Sequence, residues 1–224
     1  MLLAFLRFMK ESTSKEKILK KIRAALLEKR DNPYSNIEET PLYPPFEDPL
    51  EIVFAKQFSA VAGNFVFCDG EIDLIENLLI LAEKLSLRKM YVWEPKLQEL
   101  LNHYGFPFYS TDTDFDKADA GITCCEALVA RNGSILLSNA GKAGRRLSIF
   151  PSVHVVIAYT SQLVGDIKDG LDLLKEKYQN ELPSMISLVT GPSRTADIEK
   201  TLVLGAHGPR ELYLFLLDDS IVNV

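Results

Sequence analysis

From residue 64 onward, short apolar runs alternate with longer segments in which apolar residues recur at helical spacing. The pattern predicts strands at 64–68, 89–94 and 106–110, and helices at 51–62, 71–85 and 95–104. Strands that alternate with helices of about 10–15 residues form βαβ units, whose strands pair in parallel. The sequence therefore predicts an α/β fold with a mostly parallel sheet flanked by helices on both faces.

Strands become more frequent in the second half of the chain. The pattern predicts them at 118–125, 134–138, 153–160, 185–190, 201–205 and 211–219, with one helix at 170–180. The first two flank Asn132-Gly133, a dipeptide that favours a tight turn. Neither a GxxxxGK loop nor a GxGxxG fingerprint occurs, so the usual signatures of nucleotide and dinucleotide sites are missing.

An amphipathic helix is predicted near the N-terminus, over residues 15–29, with Ser14 capping its first turn. Its apolar stripe is formed by Ile18, Ile22, Ala25 and Leu26. Basic side chains surround the stripe, and residues 1–30 carry a net charge of +6, against −12 for the rest of the chain. Such a helix suits docking to a partner or a membrane surface, or packing on the chain's own domain.

Five prolines between residues 31 and 50 indicate an extended connector, since proline lacks the N–H group that helices and central strands need. We therefore expect an N-terminal helix and connector over 1–48, followed by one domain over 49–224. A chain of this length can bury about 70% of its unfolded surface, so its core needs neither disulfides nor a metal.

The composition disfavours several classes of protein. Hydrophobic residues make up 47% of the chain and its net charge is −6, values that exclude extensive disorder. The pI of about 5.2 argues against nucleic acid as a partner, because binding to phosphates needs an excess of cations. The apolar stretch at residues 1–9 is shorter than the about 20 residues of a membrane span and lacks signal-peptide features. We expect no membrane span. The stretch is either an extension upstream of a natural start at Met9 or a short amphipathic tail that packs on the body.

The three cysteines, Cys68, Cys124 and Cys125, match no zinc or iron–sulfur spacing. Their odd number suits a reducing compartment, so we expect a cytoplasmic protein without disulfides and with no intrinsic cofactor. Cys124 lies at the end of a predicted strand, where it is either a nucleophile or a small buried residue.

Three polar clusters interrupt the apolar scaffold, and each contains glycine beside arginine or lysine. The first spans 138–154, and its glycines and cations are Gly141, Lys142, Gly144, Arg145 and Arg146. Glycine permits close backbone approach and the cations supply charge, which together suit an anion-binding loop. The alternative is a mobile, solvated loop. His154 follows this loop and opens a strand.

The second cluster, 190–199, directly follows a predicted strand. Its candidate binding residues are Gly191, Ser193, Arg194, Thr195 and Asp197. In open α/β sheets ligands bind outside the carboxyl ends of strands. Hydroxyl and N–H groups at a helical turn, which we expect near Asp197, can hold a phosphate or carboxylate. Arg194 either grips that anion through its planar fork or pairs with Asp197.

The third cluster, 204–214, lies between two predicted strands. Gly205 and Gly208 flank His207 there, and Arg210 follows. Histidine has an unperturbed pKa of about 6.5, which suits proton transfer, so His207 is the candidate catalytic acid or base. Parallel strands deliver their carboxyl ends to one edge of a sheet, so we expect the three clusters to converge on one cleft for a small carboxylate or phosphate.

The segments TGPSRTADIE (190–199) and GAHGPRELYL (205–214) resemble the C-terminal part of the LUD-domain family, the lactate-utilisation family of LutC- and YkgG-type proteins. The resemblance extends to DAGIT (119–123), FPSVHVVIA (150–158) and the helix KEKILKKIRAAL (15–26), in the same order and spacing. It covers nearly the whole chain from about residue 12.

This resemblance implies a fold similar to the NagB/RpiA/CoA-transferase group. It also implies a role in oxidising L-lactate to pyruvate alongside iron–sulfur proteins of the LutA and LutB type. The family commonly has Glu-Thr-Gly-Thr where this chain has Arg131-Asn132-Gly133-Ser134, so a guanidinium replaces a carboxylate. If that glutamate takes part in chemistry, this chain has lost its contribution.

Lactate oxidation removes two electrons and needs a redox carrier, for which the sequence has no fingerprint. Three functions therefore stay open. The first is a non-redox subunit that relies on iron–sulfur clusters in its partners. The second is a stand-alone isomerase or acyl/CoA-transferase-type enzyme with His207 as acid or base. The third is a sensor of small anions.

Overall fold

The computed structural model describes residues 13–27, 43–143, 145–179, 181–198 and 201–219, without the side chains of 196–198 and 201–202. The chain divides into two compact units, 1–45 and 46–224. The predictions for residues 1–9, for the end of the N-terminal helix and for most of the proline-rich connector lie outside the described residues.

Helix α1 spans Ser14–Leu27 in the first unit. Its cap is Thr13 rather than the predicted Ser14. The Thr13 hydroxyl accepts a hydrogen bond from the Glu16 N–H (3.3 Å), and the Glu16 carboxylate accepts one from the Thr13 N–H (2.8 Å). This capping box satisfies two backbone groups at the start of the helix, and it needs a Glu three residues after the cap. Ser14 has Lys17 at that distance.

The second unit contains four α-helices and eleven strands among its described residues. Its helices are α2 (Leu50–Ala60), α3 (Glu71–Lys84), α4 (Pro95–His103) and α5 (Ile167–Tyr178). Its strands are β1 (Asn64–Cys68), β2 (Met90–Val92), β3 (Ala120–Thr123), β4 (Ala127–Val129), β5 (Ser134–Ser138), β6 (Val153–Tyr159), β7 (Leu163–Val164), β8 (Ile186–Val189), β9 (Arg194–Ile198), β10 (Thr201–Leu204) and β11 (Glu211–Leu217). Short 3-10 turns occupy Phe115–Lys117, Ala130–Asn132 and Thr160–Gln162.

Five strands form a wholly parallel central sheet in the order β1-β11-β6-β3-β2. The two long strands in its middle, β6 and β11, are apolar along most of their length, as expected where both faces of a parallel sheet are covered. The predicted α/β fold with a mostly parallel sheet is therefore confirmed.

Alternate residues of the central sheet pack against different layers, because successive strand side chains point to opposite faces. Val155 and Ile157 of β6 belong to the core that includes residues of α3 and α4. Val156 and Ala158 pack instead with Phe54 of α2 and with residues of a second sheet. Helices therefore flank both faces, and a further sheet joins α2 on one of them.

That second sheet has four strands in the order β7-β4-β5-β8 and is mixed, with β5 antiparallel to both of its neighbours. Leu174 of α5 packs on its other side, against Ala127 and Leu136. The sequence pattern does not predict this sheet, because β4 and β7 have only three and two residues. The segment before Asn132-Gly133 that pairs with β5 is β4, whereas β3 belongs to the central sheet.

Two local predictions are wrong. Residues 106–110 do not form a strand: Tyr109 alone bridges to β2, through backbone hydrogen bonds with Met90 and Val92. Asp197 lies in β9, which forms a hairpin with β10, rather than near a helical turn. Such short segments are decided by tertiary pairing more than by local propensity.

The segment 139–152 crosses the face of β3 on its way to β6. Leu147 in this segment packs in one cluster with Tyr91 and Phe115. Gly121 of β3 makes the crossing possible, because a Cβ at that position would lie 2.3 Å from the Leu147 carbonyl oxygen. The segment thus starts beside the carboxyl ends of β2 and β3 and ends at the amino end of β6.

Candidate functional site

A cavity of about 230 Å³ opens at the carboxyl ends of β2 and β3. Glu94 lies at the N-cap position of α4, two residues after β2, and Cys124 directly follows β3. The residues that line the cavity are Glu94, Cys124, Cys125, Glu126, Ser138, Ala140, Gly141, Lys177 and Tyr178. Ligands of open α/β sheets bind at this edge, where the loops after the strands leave a crevice. The cavity is therefore the candidate functional site.

Glu126 is held as a carboxylate by three donors. Lys177 donates to its Oε2 (2.7 Å), and Tyr178 (2.8 Å) and Ser138 donate to its Oε1. Burial by itself would raise the pKa of Glu126, but these hydrogen bonds outweigh burial and hold the pKa below its usual value. Glu126 is therefore a fixed negative charge, and Lys177 neutralises it.

Glu94 has the opposite environment. Its Oε2 accepts a hydrogen bond from the Cys124 backbone N–H at 2.6 Å, whereas no N–H or O–H group of the described residues donates to its Oε1. Gly141 lies beside that second oxygen, since a Cβ there would be 3.1 Å from Oε1. Burial raises the pKa of Glu94, and the hydrogen bonds from the backbone N–H and the thiol of Cys124 offset only part of this effect.

Two carboxylates in one cavity thus have pKa values shifted in opposite directions. Environments that separate the pKa values of two neighbouring groups also separate their chemical roles. Glu94 is suited to gain and lose a proton. Glu126 is suited to stay charged and to hold Lys177 and Tyr178 in place.

Cys124 and Cys125 line the same cavity as neutral thiols. Burial, reinforced by the charge of Glu94, raises the pKa of Cys124 to about 12, and burial raises that of Cys125 well above its ordinary value. A thiol reacts as its thiolate, so these values favour a small buried residue at position 124 over a nucleophile. Within the described ranges, no group of three or more His, Cys, Asp or Glu side chains is placed to hold a metal ion.

The structure brings the second and third polar clusters together. The Ser193 N–H donates to the Pro209 carbonyl (2.9 Å), and the Gly205 N–H donates to the Ser193 carbonyl (3.0 Å). Arg194 and Leu204 are paired in the β9–β10 hairpin. We call these contacting segments, 190–195 and 205–210, the glycine–arginine loops.

The glycine–arginine loops lie at the amino edge of the central sheet, opposite the cavity. The Arg210 N–H donates to the Ser152 carbonyl just before β6 begins, and Arg210 itself directly precedes β11. The Arg194 guanidinium is exposed and donates to the Val61 carbonyl at the end of α2 (2.8 Å). The sequence predicts these loops at the carboxyl ends of the parallel strands, and this prediction is wrong. The loop 205–210 precedes β11, and the loop 190–195 follows β8, which belongs to the second sheet.

Close packing accounts for two glycines of these loops. Gly191 has φ +82°, and a Cβ there would lie 2.3 Å from the Val61 carbonyl oxygen. A Cβ at Gly208 would lie 3.1 Å from the Cβ of Ser193. His207 is exposed in the turn and lies outside the cavity, and the side chain of Asp197 is not described. Anion binding by Ser193, Arg194, Thr195 and Arg210, and catalysis by His207, stay predictions.

Gly141, Lys142 and Arg145 of the first polar cluster lie away from the other two clusters, although Ser152 near the end of the first cluster contacts Arg210. Gly141 follows the end of β5 and lines the cavity, whereas the Thr190 hydroxyl contacts Ser134 at the start of β5. Lys142 is exposed, and the Arg145 guanidinium donates to the Ser184 hydroxyl (3.1 Å). Convergence of all three clusters on one cleft is therefore wrong, because they lie at opposite ends of β5.

His154 is a buried core residue. Its Nε2 lies 2.9 Å from the Thr123 hydroxyl, and burial lowers its pKa to about 4, so the ring is neutral near pH 7. The polar side chains that do form the cavity, Glu94, Glu126, Lys177 and Tyr178, were missed by sequence reasoning. Glu94 had a usable signal, because it is an acidic residue at the end of a predicted strand.

A family model described as "LUD domain" matches residues 52–217. The chain belongs to the LUD domain family. The part of the LUD domain matched here contains both the cavity and the glycine–arginine loops.

Curated relatives of this LUD domain include proteins that share one name. Lactate utilization protein C from Bacillus velezensis is 28% identical over 168 residues, which are 70% of each chain. Lactate utilization protein C from Bacillus subtilis is 32% identical over 125 residues, 51% of this chain and 52% of that one. An uncharacterized protein from Neisseria meningitidis is 36% identical over 108 residues, 48% of this chain and 46% of that one. The last two matches thus span about half of each relative.

A solved structure supports the fold. The crystal structure of a DUF162 family protein from Deinococcus radiodurans matches 78% of this chain and 99% of its own, with a TM-score of 0.57 and 18% identity. None of the helices in the described part of the chain is long and apolar enough to cross a membrane.

Arg131, which stands where the family commonly has glutamate, lies outside the cavity. Its guanidinium pairs with Asp166, the cap residue of α5, and lies 4.1 Å from the ring centroid of Phe46. These contacts give Arg131 a structural role.

Proposed function

We propose that this LUD-domain protein is a lactate-utilisation protein, the non-redox subunit of a cytoplasmic system that oxidises L-lactate to pyruvate. The two electrons pass to iron–sulfur clusters in partner proteins of the LutA and LutB type, and this chain carries no redox cofactor of its own. In this proposal its fold belongs with the NagB/RpiA/CoA-transferase group. The carrying observation is the family match over residues 52–217, with relatives named Lactate utilization protein C.

The cavity supports this proposal by its size and its polar groups. Its volume of about 230 Å³ is below the roughly 300–1,000 Å³ of pockets for drug-sized ligands, so it suits an acid of a few carbon atoms. The Lys177 ammonium has further N–H groups beside the one given to Glu126, and these are available to a ligand carboxylate. Glu94 is the cavity group suited to contact that carboxylate, because no N–H or O–H group of the described residues donates to its Oε1.

The Glu94–Glu126 pair also favours a second candidate function, a stand-alone acid–base enzyme of the isomerase or acyl/CoA-transferase type. Glu94 would then take the role that the sequence assigns to His207, which lies outside the cavity. Turnover of a phosphosugar or CoA ester by the isolated protein, lost on Glu94→Gln, would favour this second function. Lactate-dependent electron transfer only with iron–sulfur partners present would favour the first.

Deleting the gene in its own host tests the proposed function. Growth on L-lactate should be lost and growth on pyruvate kept, because the missing step precedes pyruvate. A copy with Glu94→Ala should restore growth on L-lactate poorly, because the side chain that contacts the ligand is lost. The matched control is Glu99→Ala, which changes an exposed glutamate of α4 and should restore growth fully. Unchanged growth of the deletion strain on L-lactate would contradict the proposal.

A further inference from the structure

The groups in the cavity set a condition on any anion that binds there. Glu126 is already occupied by its three donors, and the one lysine lining the cavity, Lys177, is paired with it. Glu94 keeps one oxygen, Oε1, without an N–H or O–H donor among the described residues. A ligand carboxylate that enters the cavity therefore lies beside a second carboxylate, that of Glu94. No cation among the residues that line the cavity neutralises the charge of Glu94.

We infer that the cavity binds a monocarboxylate as an acid–carboxylate pair with Glu94, and that one proton is taken up from solution as the ligand binds. The shared proton lies between a ligand oxygen and Oε1 of Glu94. This inference rests on the proposed function, because it takes L-lactate or a similar monocarboxylate as the ligand. It adds that the Glu94 proton is part of the ligand-binding site.

Like-charge repulsion is the reason for the proton. Two carboxylates in contact cannot both stay ionised, so they share one proton, and the pKa of one of them rises strongly. Burial has already raised the pKa of Glu94 before a ligand enters. A second negative charge at Oε1 raises it further, so protonation of Glu94 and binding of the anion favour each other.

Glu94 is the group that takes up the proton, because the other titratable groups near it do not change their charge when the ligand binds. They are Cys124, Cys125, Glu126, Lys177 and Tyr178 in the cavity, and Lys96 on α4, which acts on Cys124. Both thiols are neutral, so they do not exchange charge with the ligand near pH 7. Glu126 has a lowered pKa and stays ionised. Its charge raises the pKa of Glu94.

Calorimetric titration of the full chain with sodium L-lactate, pyruvate and acetate tests this inference. Titrations between pH 6 and 8, in two buffers of different ionisation enthalpy, report the protons taken up per ligand. We expect close to one proton, and a Kd that rises about tenfold per pH unit at the alkaline end. Glu94→Gln should bind without proton uptake and with a Kd independent of pH, because its amide N–H replaces the shared proton.

The matched control, Glu99→Gln, should show the proton uptake of the wild type. Pyruvate and acetate share the carboxylate of lactate but not its hydroxyl, so equal uptake with all three assigns the proton to the carboxylate pair. Binding without uptake, or uptake that persists in Glu94→Gln, overturns the inference and leaves the proposed function standing. Absence of binding by all three acids at every pH overturns the inference together with lactate as ligand of this cavity.

Discussion

The cavity and the glycine–arginine loops occupy opposite edges of one parallel sheet, and they are assembled in different ways. The loops draw their glycines, arginines and histidine from two short stretches, 190–195 and 205–210. The cavity draws between one and three residues from each of four places, the ends of β2, β3 and β5 and the last turn of α5. In this protein, a short stretch rich in glycine and arginine indicates a backbone that is tightly packed. A site whose residues come from several distant segments leaves only a weak signal in the sequence.

The two regions also differ in their electrostatic environment. Arg194 is exposed to water, which screens its charge, and His207 is exposed as well. Burial raises the pKa of Glu94, whereas the pKa of Glu126 is lowered by its hydrogen bonds, which outweigh burial. Perturbed pKa values in a cleft are typical of functional sites, so electrostatics favours the cavity.

The largest expected effect concerns packing of the glycine–arginine loops. Gly191→Ala should lower the free energy of unfolding by about 3 kcal/mol, because the new Cβ meets the Val61 carbonyl at a positive φ. Chemical denaturation measures this change. Gly70→Ala is the control, since no atom lies within 4 Å of a Cβ there, and its effect should stay within about 1 kcal/mol. Equal losses in the two variants would show that the loop does not need its glycine.

A smaller effect is expected in the cavity. Glu126→Gln should lower the free energy of unfolding by about 2 kcal/mol at pH 7, since hydrogen bonds to a charged group contribute roughly 1.5–3 kcal/mol and Lys177 is half exposed. Because folding lowers the pKa of Glu126, its contribution is present above about pH 4.5 and is lost as pH falls through the lower folded value. Stability curves of the two proteins against pH should converge in acid. A difference that grows in acid would contradict this account.

The smallest effect separates the two regions directly. Arg194→Ala removes one exposed hydrogen bond to the Val61 carbonyl and should cost about 1 kcal/mol of stability. Its affinity for L-lactate, measured by calorimetry, should equal that of the wild type, because the cavity lies at the opposite edge of the sheet. A tenfold weaker affinity would instead place the anion at the glycine–arginine loops, as the sequence predicts.

Most of the fold could be predicted from periodicity, whereas most of the candidate site could not. Gly141 is the one residue common to the predicted binding residues and the cavity lining. Lys177 carried no signal, because a lysine in the last turn of an amphipathic helix looks like a solvated surface residue. Its pairing with Glu126 depends on α5 packing over a sheet whose short strands the sequence pattern does not predict.

The sequence by itself determined the order of the long strands and helices, because alternation at periods of 2 and about 3.6 follows from local geometry and burial. It also determined the parallel character of the central sheet, since each long strand is separated from the next by enough chain to cross over. Only the tertiary structure decided which loops share an edge, because that depends on strand order and direction. The tertiary structure also decided the burial of Glu94 and placed three donors around Glu126. The pKa values of these two glutamates depend on residues that are far from them in the sequence.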